Sequence, residues 1–152
     1  MTARIDTEAV RERVERAVET HAQDFETFFL ARLLDLAFEY LPTEAPDVEK
    51  DACHLRFPAE AFLFNPQGSL HGGVMATAMD ISMGHLLHKV AGAGATVEMK
   101  TQFMRPVTGG EVTVEGRFLR RGRSLSFMES RLMDAEGRLC ALSTATWAMP
   151  RA

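Results

Sequence analysis

Asn65-Pro-Gln-Gly-Ser-Leu-His71-Gly72-Gly73-Val-Met-Ala-Thr-Ala-Met-Asp80 is the stretch whose reading decides the fold. It opens the longest apolar segment of the chain, Leu70 to about Val90. Val74, Met75, Ala76, Ala78, Met79, Ile81, Met83, Leu86 and Leu87 cover nearly all sides of that segment at helical spacing. A helix that is apolar all round belongs inside a protein, so the spacing predicts a buried helix ended by Gly92 and Gly94.

Away from this helix the period drops to two. Leu36 to Leu41 reads as a strand closed by Pro42, then a turn or loop from Thr43 to Lys50, then a strand from Ala52 to Phe57 ended by Pro58. Ala59 to Leu70 reads as a loop. After Ala95 the chain is strand and turn. Thr96 to Arg105 alternates, with Val97, Met99, Thr101 and Phe103 on one face, and Glu111 to Arg120 alternates through Val112, Val114 and Phe118. Arg121-Gly122-Arg123 is a tight turn, Ser124 to Met133 a strand, Asp134 to Gly137 a turn, and Arg138 to Met149 the last strand. Strands joined by such short turns are antiparallel. At the other end, residues 7 to about 23 read as a helix with Thr7 as N-cap and a thin stripe of Val10, Val14, Ala17 and Val18. Phe25, Phe28, Phe29, Leu30, Leu33 and Leu34 form a stronger apolar face, best read as packing. The plan is helix, two strands, one buried helix, four strands. That is an α+β fold with a single antiparallel sheet carrying a long helix on one face.

Composition agrees. At 152 residues the chain has the size of one domain. With 46% hydrophobic and 25% charged residues it is not a disordered chain. A net charge of −4 argues against a nucleic-acid partner. Cys53 and Cys140 are too few for a disulfide framework or a zinc site and read as buried thiols. No apolar run is long enough to span a membrane, and the first twenty residues are charged throughout, unlike a secretory signal. A cytoplasmic location is the resulting expectation.

Asp80 falls among Met79, Ile81 and Met83, and burying a carboxylate is unfavourable unless it is paired or used. Two readings follow: a structural carboxylate paired to a loop, Lys or Arg, or a catalytic one. His71-Gly72-Gly73 opens the same helix, where free N–H groups and the positive dipole end can hold a carbonyl oxygen as it gains charge. Gly72 and Asp80 are eight residues apart, about 12 Å along a helix axis. One subunit therefore cannot easily present both to one carbonyl. A second copy of the helix, antiparallel across a two-fold axis, could. Neither His21, His54, His71, His85 nor His88 shows a metal-ligand pattern with acidic partners. Asp80 and His85 suggest the acid–His pair of a hydratase, but residues five apart do not stack on one helix face.

On these residues the chain resembles the hotdog-fold acyl-CoA thioesterases of the phenylacetate-degradation (PaaI-like) family. The resemblance covers about Phe29 to Met149 and rests most on Asn65, Gly68, His71-Gly72-Gly73 and Asp80. Arg105-Pro106, the turn at 121–123, and Asp134 to Gly137 before an Ala-rich strand add to it. It implies a sheet wrapped around the long helix, with residues 35–152 forming the hotdog domain and residues 1–34 an extra helical extension. It implies a homodimer or homotetramer with active sites at the subunit interface, an acyl-CoA substrate and no separate cofactor; from the residues themselves no metal and no membrane partner are expected. Asp80 would be general base or nucleophile, and the Gly72 N–H would bind the thioester carbonyl, with Gly73 supporting that turn. Asn65 would hold the attacking water or orient the carboxylate, and His71 would brace the loop or touch substrate. Thr96 would lie beside the acyl site. Arg121 and Arg123, within a group that also holds Arg105, Arg117 and Arg120, would meet the phosphates of CoA, with hydroxyls from Ser124 and Ser126 nearby. The alternatives are a non-catalytic acyl-CoA-binding or sensor protein and a hotdog hydratase or dehydratase.

Overall fold

The computed structural model describes residues 4–41 and 50–150. Helix α1 (Thr7–Thr20) is followed by a short α2 (Phe29–Leu34), strands β1 (Ala37–Leu41) and β2 (Ala52–Pro58), helix α3 (Gly72–Ala91), and strands β3 (Ala95–Phe103), β4 (Glu111–Arg120), β5 (Leu125–Met133) and β6 (Leu139–Ala148). The six strands form one sheet in the order β1-β2-β4-β5-β6-β3, every neighbouring pair antiparallel. The α+β expectation, with an N-terminal helix and a long helix on the sheet, holds. Except for Lys50, the expected loop of residues 43–50 lies outside the described residues.

Alternation does what the sequence required. Val112, Val114 and Phe118 of β4 turn inward with Phe57, Met128 and Leu132, and Met79, Met83, Leu86 and Leu87 of α3 fill the space above them. Each such side chain contributes about 1.5–3 kcal/mol by leaving water. Two glycines let α3 come close to the sheet. A Cβ on Gly84 would stand 2.7 Å from the Trp147 ring, and one on Gly116 would stand 2.7 Å from the Ser82 backbone. Cys53 and Cys140 are buried free thiols, and burial pushes the Cys53 thiol up to about 12.

Several expectations need correcting. The cap of α1 is Asp6, not Thr7: its carboxylate accepts the N–H groups of Glu8 and Ala9, both at 3.1 Å. The helix ends at Thr20, three residues early, where the His21 N–H closes on the Ala17 carbonyl. The phenylalanine-rich segment is helical only over Phe29–Leu34, and Phe25, Phe29 and Leu30 keep over a third of their surface exposed. The loop before α3 contains one 3-10 turn, Ala61–Leu63. The last two strands are shorter than expected, Leu125–Met133 by one residue at its start and Leu139–Ala148 by one at each end. Above all, α3 is not buried on all sides. Met75, Ala78, Met79, Ser82, Met83, His85, Leu86 and Leu87 are buried, while Val74, Thr77 and Ile81 are only partly covered. Periodicity counts apolar sides but does not say what covers each.

Candidate active site

The loop before α3 is built around Asn65. Its side-chain carbonyl accepts the N–H groups of Gln67 at 2.9 Å and Ser69 at 3.3 Å, and its amide donates to the Ser69 hydroxyl at 3.2 Å. Gly68, at φ +85°, closes the turn in a conformation that other residues resist. Asn65 is thus a loop-former here, and no hydrogen bond joins it to His71 or Asp80.

His71 is the N-cap of α3. Its Nδ1 accepts the Gly73 N–H at 2.9 Å, so the ring proton sits on Nε2. Its own N–H donates to the Leu63 carbonyl at 3.0 Å. The Thr77 hydroxyl donates to the Gly73 carbonyl at 2.8 Å. One N–H of this turn, that of Gly72, makes no hydrogen bond among the described residues. A ring that sequence reasoning did not single out for the site lies beside this turn. A Cβ on Gly72 would lie 3.3 Å from the Phe103 ring, and Phe103 is 54% exposed. Its signal was the alternation of β3, which places it on the helix-facing side.

Asp80 lies two turns further along α3. It is half-buried, not buried as its neighbours suggested, because it sits toward the side of the helix that the sheet leaves uncovered. The Thr96 hydroxyl donates to its Oδ1 at 2.8 Å, and its second oxygen takes no hydrogen bond among the described residues. Simple alternation puts Thr96 on the opposite face from Val97, Met99, Thr101 and Phe103. A register shift between Thr96 and Glu98 makes Val97 an extra residue in β3. Thr96 then pairs with Trp147, Met99 with Ala145 and Thr101 with Ser143, so all three face α3. A bulge that re-aims a side chain is a recurrent device beside active sites. Val97 itself is left 60% exposed, off the face expected for it.

His85 belongs elsewhere. It contacts the Phe25 carbonyl and stacks on Phe38 at 4.6 Å, with Phe25 edge-on at 5.2 Å. Burial lowers its pKa, against the opposing pull of the Phe25 carbonyl. Five residues of helix turn it about 140° away from Asp80, and no hydrogen bond joins the two. The acid–His pair of a hydratase is not assembled. Among the described residues no group of three His, Cys, Asp or Glu side chains could hold a metal.

The arginines do not form one group. Arg120, Arg121 and Arg123 line a cleft of about 880 Å3 with Ala91, Phe118 and Pro150, beyond the C-terminal end of α3. Arg121 Nη2 donates to the Val90 carbonyl at 3.4 Å. Arg105 is at the far end of the sheet, donating to the Leu139 carbonyl at 2.9 Å, about 30 Å away along β6. Arg117 is held by Glu115 at 2.6 Å. The Ser124 carbonyl accepts the Met149 N–H, while the Ser126 hydroxyl is buried and donates to the Met149 sulfur at 2.9 Å.

An antiparallel six-stranded sheet bearing one long helix is the hotdog architecture. Comparison with known proteins agrees. Residues 67–141 match the family model of the thioesterase superfamily. A protein of Saccharolobus solfataricus named as a putative esterase is 31% identical over 115 residues, covering 74% of this chain and 82% of its own. The human acyl-coenzyme A thioesterase 13 is 38% identical over 81 residues, 51% of this chain and 58% of its own. The fold is shared with a Bacillus halodurans protein crystallised with CoA, at TM-score 0.83 and 18% identity over 99% of this chain and 97% of that one. The chain belongs to the thioesterase superfamily and is a thioester hydrolase by class. Among the described residues, no helix is long and apolar enough to cross a membrane.

Proposed function

We propose that this protein hydrolyses acyl-CoA thioesters to a carboxylic acid and CoA, in a site shared by two copies of the chain. The observation that carries this reading is the Asp80 carboxylate, placed toward the uncovered side of α3 with one oxygen held by Thr96 and the other unengaged among the described residues. Such a carboxylate can take a proton from water or attack a carbonyl carbon itself. The unbonded Gly72 N–H supplies what the carbonyl oxygen needs as it gains charge. His71 and Gly73 hold that turn. Asn65 acts by shaping the loop. Water, one carboxylate and one oxyanion donor suffice for a reactive thioester, so the reaction as proposed asks for no cofactor or metal.

Gly72 and Asp80 lie about 12 Å apart along one helix. A second α3, antiparallel against the uncovered side, brings Asp80 of one chain to Gly72 of the other. The cleft of Arg120, Arg121 and Arg123, outside Ala91, takes the phosphates of CoA. Relatives named as acyl-CoA thioesterases and a fold neighbour crystallised with CoA support the substrate class.

The test is CoA release from a panel of acyl-CoAs, read with a thiol dye, for wild type and for Asp80→Ala and Asp80→Asn. The expected loss in kcat for both variants is about 10²–10⁴-fold. Wild type that releases no CoA from any ester overturns the substrate class, and equal rates overturn the role of Asp80. Mixing Asp80→Ala subunits with subunits disabled at Gly72 should restore activity in mixed dimers. No recovery despite proven exchange overturns the shared site.

A further inference from the structure

Helix α1 contributes no strand and lines neither the Asp80 site nor the arginine cleft, yet it carries a charge that it buries. Arg13 is 8% exposed on a helix whose other charged residues are solvated. Its Nη2 lies 2.9 Å from Glu60 Oε2 and 3.7 Å from Asp35 Oδ2, and its Nη1 donates to the Leu33 carbonyl at 3.3 Å. Among the described residues, Arg13 Nε and Glu60 Oε2 are both buried without a hydrogen bond, and the Nη2–Oε2 ion pair compensates the buried guanidinium.

Glu60 is where this pairing meets the site. The Glu60 carbonyl accepts the Leu63 N–H at 2.9 Å. The Leu63 carbonyl accepts the His71 N–H at 3.0 Å. The His71 ring accepts the Gly73 N–H at 2.9 Å, which leaves the Gly72 N–H as the open donor. Each link fixes the backbone that makes the next. We propose that Arg13 is a positioning residue for the Gly72 turn, acting through Glu60, and that α1 serves the enzyme as the strut holding it. This rests on the reading of Gly72 as oxyanion donor.

The loop has other anchors. The Ala59 N–H donates to the Gly110 carbonyl and the Leu70 N–H to the Val107 carbonyl, both at 2.8 Å. Loss of Arg13 therefore shifts the turn between two fixed ends and does not release the loop. An oxyanion donor acts chiefly in the transition state, so a shifted donor lowers kcat and leaves KM near its wild-type value. Small displacements in such sites have large effects on rate.

The experiment compares Arg13→Ala, Arg13→Lys, Glu60→Gln and the double variant Arg13→Ala/Glu60→Gln, using CoA release well below the unfolding temperature. Amide hydrogen exchange of residues 71–75 is followed in the same proteins. Arg13→Ala and Glu60→Gln should each lower kcat about tenfold, and the double variant should be no worse than Arg13→Ala, since both singles break the Arg13–Glu60 connection through which the turn is held. Arg13→Lys keeps the charge and should retain most of the rate. Exchange at 71–75 should quicken in Arg13→Ala while β5 and β6 stay protected. Unchanged kcat, losses that add in the double variant, or exchange that rises uniformly across the sheet would overturn the proposal. If Arg13→Ala fails to fold, Glu60→Gln and Arg13→Lys decide it. If wild type releases no CoA, the proposed substrate fails, and the exchange pattern alone decides whether Arg13 holds the turn.

Discussion

Asp80 and His85 interrupt the same apolar helix five residues apart, and the protein treats them oppositely. His85 is sealed: Phe25, Phe28 and Phe38 surround its ring, and a backbone carbonyl takes its Nε2. Among the described residues Asp80 keeps one partner, Thr96, and an unengaged oxygen on a partly open surface. A polar residue in an apolar helix is therefore no sign of chemistry by itself. What separates the two is whether the surroundings use up the hydrogen-bonding capacity of the group. His85 fastens the N-terminal segment to α3, and Asp80 is left available.

This contrast makes opposite demands on two variants. His85→Ala opens a cavity under three phenylalanines and strands the Phe25 carbonyl, so it should destabilise the fold by about 2–4 kcal/mol in urea unfolding. The kcat per folded molecule should stay within about twofold of wild type, since a 1.4 kcal/mol effect on the chemistry would already be tenfold. A catalytic loss as large as that of Asp80→Asn, with stability intact, would erase the distinction. Thr96→Val should do the reverse. It keeps the size of the side chain and removes the donor to Asp80, so kcat should fall about tenfold, or about 1.4 kcal/mol, with little change in the unfolding midpoint. If Thr96→Val costs stability and spares kcat, its bond to Asp80 is structural.

Sequence and structure part company at identifiable places. The bounds of β4 match the alternation of Glu111 to Arg120, because inward Val112, Val114 and Phe118 leave no freedom in register. The start of α3 was equally legible, because the apolar run of helical period begins directly after His71 and the two glycines. Thr96 was assigned to the site by resemblance, but the way it gets there was hidden. Val97 continues the apolar alternation of β3, so the extra residue leaves no trace in a period of two. Asp80 looked buried because a pattern of apolar sides does not separate a face covered by the chain's own sheet from one left for something else. Arg13 was concealed by its neighbours: in a run of alternating Glu and Arg, nothing marks the one arginine that turns inward.

The smallest effect expected from the contrast is a pH dependence. Burial lowers the His85 imidazole below its ordinary value of 6.5, the Phe25 carbonyl pulls it back up, and nearby His88 lowers it while Glu26 raises it. In the window just below 6.5 the unfolded chain then binds more protons than the folded one, so stability rises with pH there. The contribution is complete above that value and is lost as pH falls through the window. Burial pushes the Glu115 and Asp134 carboxyls up, but Arg117 and His54 at one and Arg138 at the other hold both low overall. Their stabilisation is lost only at more acid pH, below the ordinary carboxylate values, so the two windows are separate. One proton sets a ceiling of about 1.4 kcal/mol per pH unit on the His85 slope. Urea midpoints of wild type between pH 7 and 5 should fall toward the acid end. His85→Leu should flatten that fall, and Thr96→Val, which carries no proton there, should keep it. A slope that survives His85→Leu means the ring is not sealed, and its difference from Asp80 would then be one of degree.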